Sequence, residues 1–263
     1  MAQSGTCRGA HKNPTAQLST RAERFGRNVV SMFNPIWQKA LLKRSAIATL
    51  CCAVLVAVCY FFVDRQVAFW VHSQDFSRSR VLWWLQAPPP LFQDWAPAVL
   101  VLLFVRRAWG PFRRWELALL AACLSLLVAA QFKDSLKYCF GRYWPETWTN
   151  DNPSLLGDGE YGFHPFHDGG AFGSFPSGHM TRTLAMVAVV WVAYPRLRWA
   201  CIVASTAVAI GLLGLNYHFV GDVVGGSFVG GIVGVYAAHG CGICNEPRPL
   251  RDETDPAFKS GAG

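Results

Sequence analysis

The longest polar stretch inside the chain runs from Lys133 to Gly178 and is rich in Gly, Pro, His and Trp. It ends in Phe175-Pro176-Ser177-Gly178-His179, directly ahead of an apolar run. Pro, Ser and Gly at a helix start leave backbone N–H groups and a hydroxyl where the helix dipole is positive, an anion site that a phosphate group fits. Further along, His218 and Asp222 stand four residues apart. On a helical turn they face the same way. A carboxylate bonded to one imidazole nitrogen fixes the tautomer and leaves the other nitrogen as nucleophile or base. Taken alone, the pair reads rather as a polar helix cap at a membrane surface than as a catalytic pair. With Lys133, Lys137 and Arg142 at the start of the polar stretch, however, two histidines, a carboxylate and several cations make up the parts of a phosphoryl-transfer site, provided one face of the molecule gathers them.

The elements that must do the gathering are membrane helices. Of 263 residues, 52% are hydrophobic and 15% charged, whereas a soluble domain carries about 25% charge. Too few charges remain to cover a soluble globule, and 11 Trp and 18 Phe fit a surface solvated by lipid. Six apolar runs are expected to form helices: Ser45 to Val63, Leu91 to Val105, Trp115 to Phe132, His179 to Tyr194, Trp199 to Tyr217 and Gly221 to Ala238. The first would span roughly 28 Å as a helix, close to a bilayer core. It lies too far from the start for an ordinary cleaved signal peptide, so it is expected to be retained. The fold class is therefore all-α, a polytopic membrane protein with six transmembrane helices. The expected organisation is a basic cytoplasmic tail over residues 1–44 without regular structure, a membrane domain over 45–238 with an outer loop at 133–178, and a cytoplasmic tail over 239–263.

Cytoplasmic loops carry the excess of Lys and Arg. With the N-terminus inside, seventeen cations fall in inner segments and six in outer ones, with Arg182 inside the fourth run. This places both termini in the cytoplasm and the polar stretch, with its active site, at the outer membrane face. The net charge of +8 is then mostly topogenic, and no basic, aromatic-interleaved module points to nucleic acid. Pro88-Pro89-Pro90 is expected to form a rigid turn between helices. The aromatic and basic residues between Arg65 and Leu85 read either as an interfacial helix or as a connecting loop. The nine cysteines lie mostly in apolar runs and need no disulfide. Cys241 and Cys244 lack a second pair for a metal site. His164 and His167, with Asp168, could bind a cation but read rather as headgroup contacts or spectators, and Asp158 and Glu160 as substrate-selecting or merely solvating groups.

Lys137 to Pro145, Pro176-Ser177-Gly178-His179 and His218-x-x-x-Asp222 together resemble the three-part signature of the type 2 phosphatidic acid phosphatase superfamily, which includes bacterial lipid phosphatases and vanadium haloperoxidases. The resemblance covers about Ser45 to Ala238. It implies that His218, oriented by Asp222, attacks phosphorus, that His179 serves as acid and then base, and that Lys137, Ser177 and Gly178 hold the phosphate oxygens. It implies no metal and no cofactor, a lipid phosphate or diphosphate as substrate, and a bacterial inner (plasma) membrane with the site in the periplasm. Two family arginines are absent: Trp144 stands where the first motif has arginine, and Leu212 where the third does. Arg142 is expected to restore most of that charge, with Arg182 or Lys133 as weaker replacements; Arg182 alternatively makes an ion pair at a helix end. A non-catalytic membrane relative or transporter, and less so a vanadate haloperoxidase, are the competing readings.

Overall fold

The structure, a computed structural model, describes residues 35–76, 79–148 and 151–243. The tails at 1–34 and 244–263, with Cys7 and Cys244, lie outside the described residues. Regular structure among the described residues is helical, with only isolated β-bridges. Helix α1 (Pro35–Val58) passes through a π-helical turn (Cys59–Val63) into α2 (Asp64–Ser73). Then come α3 (Arg80–Gln86), α4 (Pro88–Arg107), α5 (Arg114–Phe140), the short α6 (Leu155–Asp158), α7 (Gly178–Ala193), α8 (Arg198–Gly214) and α9 (Val220–Gly240). Among the described residues, five spans are long and apolar enough to cross a membrane: Lys39–Ser73, Arg80–Arg107, Arg114–Phe140, Pro195–Gly214 and Val220–Gly240. The remaining expected crossing is α7, 16 residues long, shorter than the roughly 20 that a bilayer core takes. Large apolar side chains point outward, with Phe104, Trp199 and Phe61 at 82%, 79% and 72% exposure. Water would not tolerate such a surface, whereas lipid does. The protein is an all-α polytopic membrane protein.

Several sequence expectations change in detail. Helix α1 starts at Pro35, so residues 35–44, assigned to the tail, are helical. The three prolines do not make a turn; they open α4, where a helix needs no N–H donors and a fixed φ is an advantage. Neither reading of Arg65 to Leu85 holds throughout: α2 continues the first membrane helix to Ser73, and after a turn α3 runs to Gln86. Helix α3 lies so close to α8 that a Cβ on Gly211 would stand 2.7 Å from the Leu82 carbonyl oxygen.

Helices α5, α7 and α9 pack against one another at the centre, through small side chains such as Ala121, Ala129, Ala185 and Ala238. The α7–α9 approach is closest. Gly226, Gly230 and Gly234 recur every fourth residue, and a Cβ at each would meet the Ser177, Thr181 and Ala185 carbonyls respectively. Lipid gives helices no hydrophobic reason to associate, so close backbone packing through small residues must supply the attraction. This contact carries the start of α7 against the start of α9. Gly230→Ala is therefore expected to cost about 1–3 kcal/mol through overpacking. It should lower the thermal midpoint in detergent, while Gly231→Ala, whose Cβ meets nothing within 4 Å, should leave it nearly unchanged.

Candidate active site

The starts of α2, α4, α7 and α9 and the ends of α5 and α8 meet at one end of the bundle. There, Asp222 occupies the first turn of α9 and closes it: its Oδ2 accepts the Phe219 N–H at 2.9 Å, an acid at the position where the helix dipole favours one. The same oxygen accepts from Ser174 Oγ at 2.6 Å, and Oδ1 accepts from Arg142 Nη1 at 2.7 Å. The Ser177 N–H bonds the Asp222 carbonyl at 3.0 Å, tying α7 to the first turn of α9. His218, just ahead of that turn, has Nδ1 3.6 Å from Asp222 Oδ2. That is an electrostatic contact longer than a hydrogen bond. It directs Nδ1 toward the carboxylate and leaves Nε2 for the cavity beyond. Burial lowers the His218 pKa, and Asp222 offsets only part of the effect, so the imidazole is neutral near pH 7.

The cavity measures about 370 Å³. Lys133, Lys137, Gly178, His179, Arg182 and His218 line it, together with Trp144, Trp148, Asn152 and Tyr217. Thus both histidines and three cations converge on one space from α5, α7 and the α8–α9 turn. Lys133 pairs with Asp134 at 2.7 Å, and Arg182 Nε donates to Gln93 Oε1 at the start of α4. The Trp144 indole N–H is spent on the Gly170 carbonyl at 2.7 Å. Its ring lies 5.2 Å from that of His218 and 5.6 Å from Lys137 Nζ. Trp148 is held in the same manner by the Asn216 carbonyl and packs edge-on to Tyr217. Aromatic walls therefore replace cationic ones on that side.

Two residues expected to hold phosphate are elsewhere. Arg142 is fully buried and does not line the cavity. Its Nη1 reaches Asp222, and its Nη2 reaches Asp64 Oδ2 at 2.7 Å and the Tyr161 hydroxyl at 3.1 Å. Rings of Phe219, Phe163, Tyr60 and Tyr161 surround the guanidinium at 4.3–5.4 Å. Burial opposes its charge, but Asp222 and Asp64 more than offset that, so its pKa is raised. The backbone explains the difference: Arg142 is bridged to both Phe163 and Gly173, which turns its side chain inward, away from the side Trp144 occupies. Ser177 is likewise buried and caps α7, accepting the Met180 N–H. Lys133 and Arg182, the weaker expectations, reach the cavity beside Lys137. Leu212 is fully buried against Met180, Val208 and Val223, so no cation could stand there without its charge entering an apolar core.

His164 and His167 pack with Phe172 in the loop, and His164 also against Tyr143. Among the described residues no group of three His, Cys, Asp or Glu is placed to hold a metal ion. Asp158 accepts the Ser154 N–H at 3.0 Å, a local cap away from the cavity. Sequence reasoning missed Asp64, Gln93, Trp148 and Tyr217. Asp64 alone left a signal, as an acid directly after the apolar run Ser45 to Val63, because an ionisable group at membrane depth is costly and marks a function.

No curated protein matches this chain. Among solved structures it is similar to the first transmembrane PAP2 type phosphatidylglycerolphosphate phosphatase from Bacillus subtilis, at 16% identity and a TM-score of 0.42, over 73% of this chain and 93% of that one. The model of the PAP2 superfamily matches residues 118–241, which span most of α5, the loop, α7, α8 and α9 with every cavity-lining residue, and over that stretch the chain is similar to that superfamily.

Proposed function

We propose that the protein is a lipid-phosphate phosphatase that works through a phosphohistidine. The observation that carries this reading is the convergence of His179, His218, Lys133, Lys137 and Arg182 on one cavity at the end of an apolar helix bundle. His218 Nε2 attacks phosphorus while the bond to the leaving oxygen breaks and His179 gives that oxygen its proton. Water then attacks the phosphohistidine, His179 takes a proton from it, and the N–P bond breaks to release phosphate. Both steps build charge on the equatorial oxygens, where Lys133, Lys137, Arg182 and the Gly178 N–H are placed to meet it. A headgroup phosphate can enter the polar cavity while its chains stay against the exposed apolar helices, and this favours a lipid over a soluble ester. The excess of Lys and Arg in alternate loops supports cytoplasmic termini with the site on the opposite, periplasmic or extracellular, face.

The test is phosphate release by the detergent-solubilised full chain from phosphatidate, phosphatidylglycerol phosphate, an isoprenyl diphosphate, lipid A and a soluble phosphate ester. Release from at least one lipid, faster than from the soluble ester, is the expected result; no release from any lipid overturns the reading. Neutral His218 also has a thermodynamic signature. Its folded pKa is depressed, so its contribution to stability is complete above the unfolded value of about 6.5 and is lost as pH falls below it. Below that pH the wild type should lose stability more steeply than His218→Gln, by up to about 1.4 kcal/mol per pH unit, measured as thermal midpoints across pH.

A further inference from the structure

Asp64 is the first residue after the π-helical turn and lies outside the stretch matched by the family. Its side chain is fully buried with both oxygens engaged: Oδ1 accepts the Gly221 N–H at 2.9 Å and Oδ2 accepts Arg142 Nη2 at 2.7 Å. Arg142 bridges from there to Asp222, which faces His218 Nδ1. Two carboxylates and one guanidinium thus share a buried, ring-walled space behind the imidazole. Arg142 cancels the charge of one carboxylate. A neutral Arg142–Asp222 pair would do little for a positive imidazole, because the two fields oppose each other at nearly the same distance. The second carboxylate leaves a net charge of minus one.

We propose that Asp64 is a positioning residue for the reaction: it supplies the surplus negative charge that lets Asp222 stabilise a positively charged His218, and it anchors the Gly221 N–H so that the turn carrying Asp222 is held beneath the imidazole. The catalytic consequence rests on the phosphohistidine reading above; the charge argument concerns His218 itself. The other titratable groups around this space are Lys137 of α5, His179 of α7, Cys59, Tyr60, Tyr161 and Tyr217, with Lys133 and Arg182 across the cavity. All of them are common to the proteins compared below.

The experiment compares wild type, Asp64→Asn and Asp64→Asn/Arg142→Gln as full chains in detergent. Asparagine keeps an acceptor for Gly221 while removing the charge, and the double variant restores the net minus one through Asp222 alone. Asp64→Asn should lower kcat about tenfold with KM little changed and move the acid limb of kcat/KM down by about one pH unit, the effect of one partly screened charge. The double variant should bring the limb back toward the wild-type position. A merely structural role lowers activity at every pH and makes the double variant worse. An unmoved limb in Asp64→Asn, or no return in the double variant, overturns the proposal. Should the single variant not fold, the double variant carries the comparison, and a limb displaced from wild type overturns it. Titration of ¹⁵N-labelled histidine, with His218 assigned by its substitution, reads the same shift without turnover. If wild type releases no phosphate, the phosphatase reading fails while an unshifted His218 still decides against the charge argument.

Discussion

Replacing His218 with alanine is expected to abolish phosphate release, lowering kcat/KM by about 10³-fold or more, since a nucleophile is lost rather than a contact. The cavity would keep its cations and still bind phosphate, so phosphate should protect the variant against thermal denaturation about as well as it protects wild type. The parallel change His179→Ala should behave differently. A lipid alkoxide needs a proton to leave, so that variant should be nearly inactive on lipid substrates. On an aryl phosphate, whose leaving group needs little help, the first step should proceed and the second, which requires the base, should stall. Acid-labile ³²P should then accumulate on His179→Ala and not on His218→Ala. Equal release by wild type and His218→Ala would remove the enzymatic reading, and label on neither variant would remove the covalent intermediate.

The parts of this site that were legible in the sequence are those set by local spacing. His179 at the start of an apolar run and His218 four residues before Asp222 need only one helix each to be placed, and both reach the cavity. Helix positions were legible for the same reason, since lipid imposes length and polarity on each segment separately. What was not legible depends on the path of the loop. Arg142 and Trp144 share a side in a regular strand, yet the bridges from Arg142 to Phe163 and Gly173 send the arginine inward and leave the tryptophan at the cavity. Lys133 and Lys137 lie four apart on α5, so either could have been read as the cation of the site; only the packing of α5 against α7 shows that both line the cavity. Asp64 stands far from the motifs in sequence, and no spacing connects it to Arg142. Only the packing of the first membrane helix against the start of α9 brings it there.

Arg142 offers the sharpest separation between a phosphate-holding and a structural cation. Were it a phosphate ligand, Arg142→Met would raise KM and leave the fold intact. The structure demands the reverse. Methionine follows the arginine stem as far as its Nε and, being flexible and apolar, suits the ring cage of Phe219, Phe163, Tyr60 and Tyr161, so the loss is chiefly that of the charge. What remains is Asp64 and Asp222, two buried carboxylates without their shared counter-ion. Removing one partner of a buried ionic cluster costs about 3–5 kcal/mol, because the orphaned charge cannot regain its hydration. One carboxylate would have to take up a proton for the fold to persist. The expected result is a large fall in thermal midpoint, partly recovered at lower pH as that proton becomes available. Adding Asp64→Asn should recover stability at neutral pH by removing the like-charge repulsion. Arg142→Lys should rescue only in part, because an ammonium cannot offer the parallel donors with which the guanidinium spans the two acids. A wild-type midpoint for Arg142→Met with a raised KM would instead return Arg142 to the phosphate.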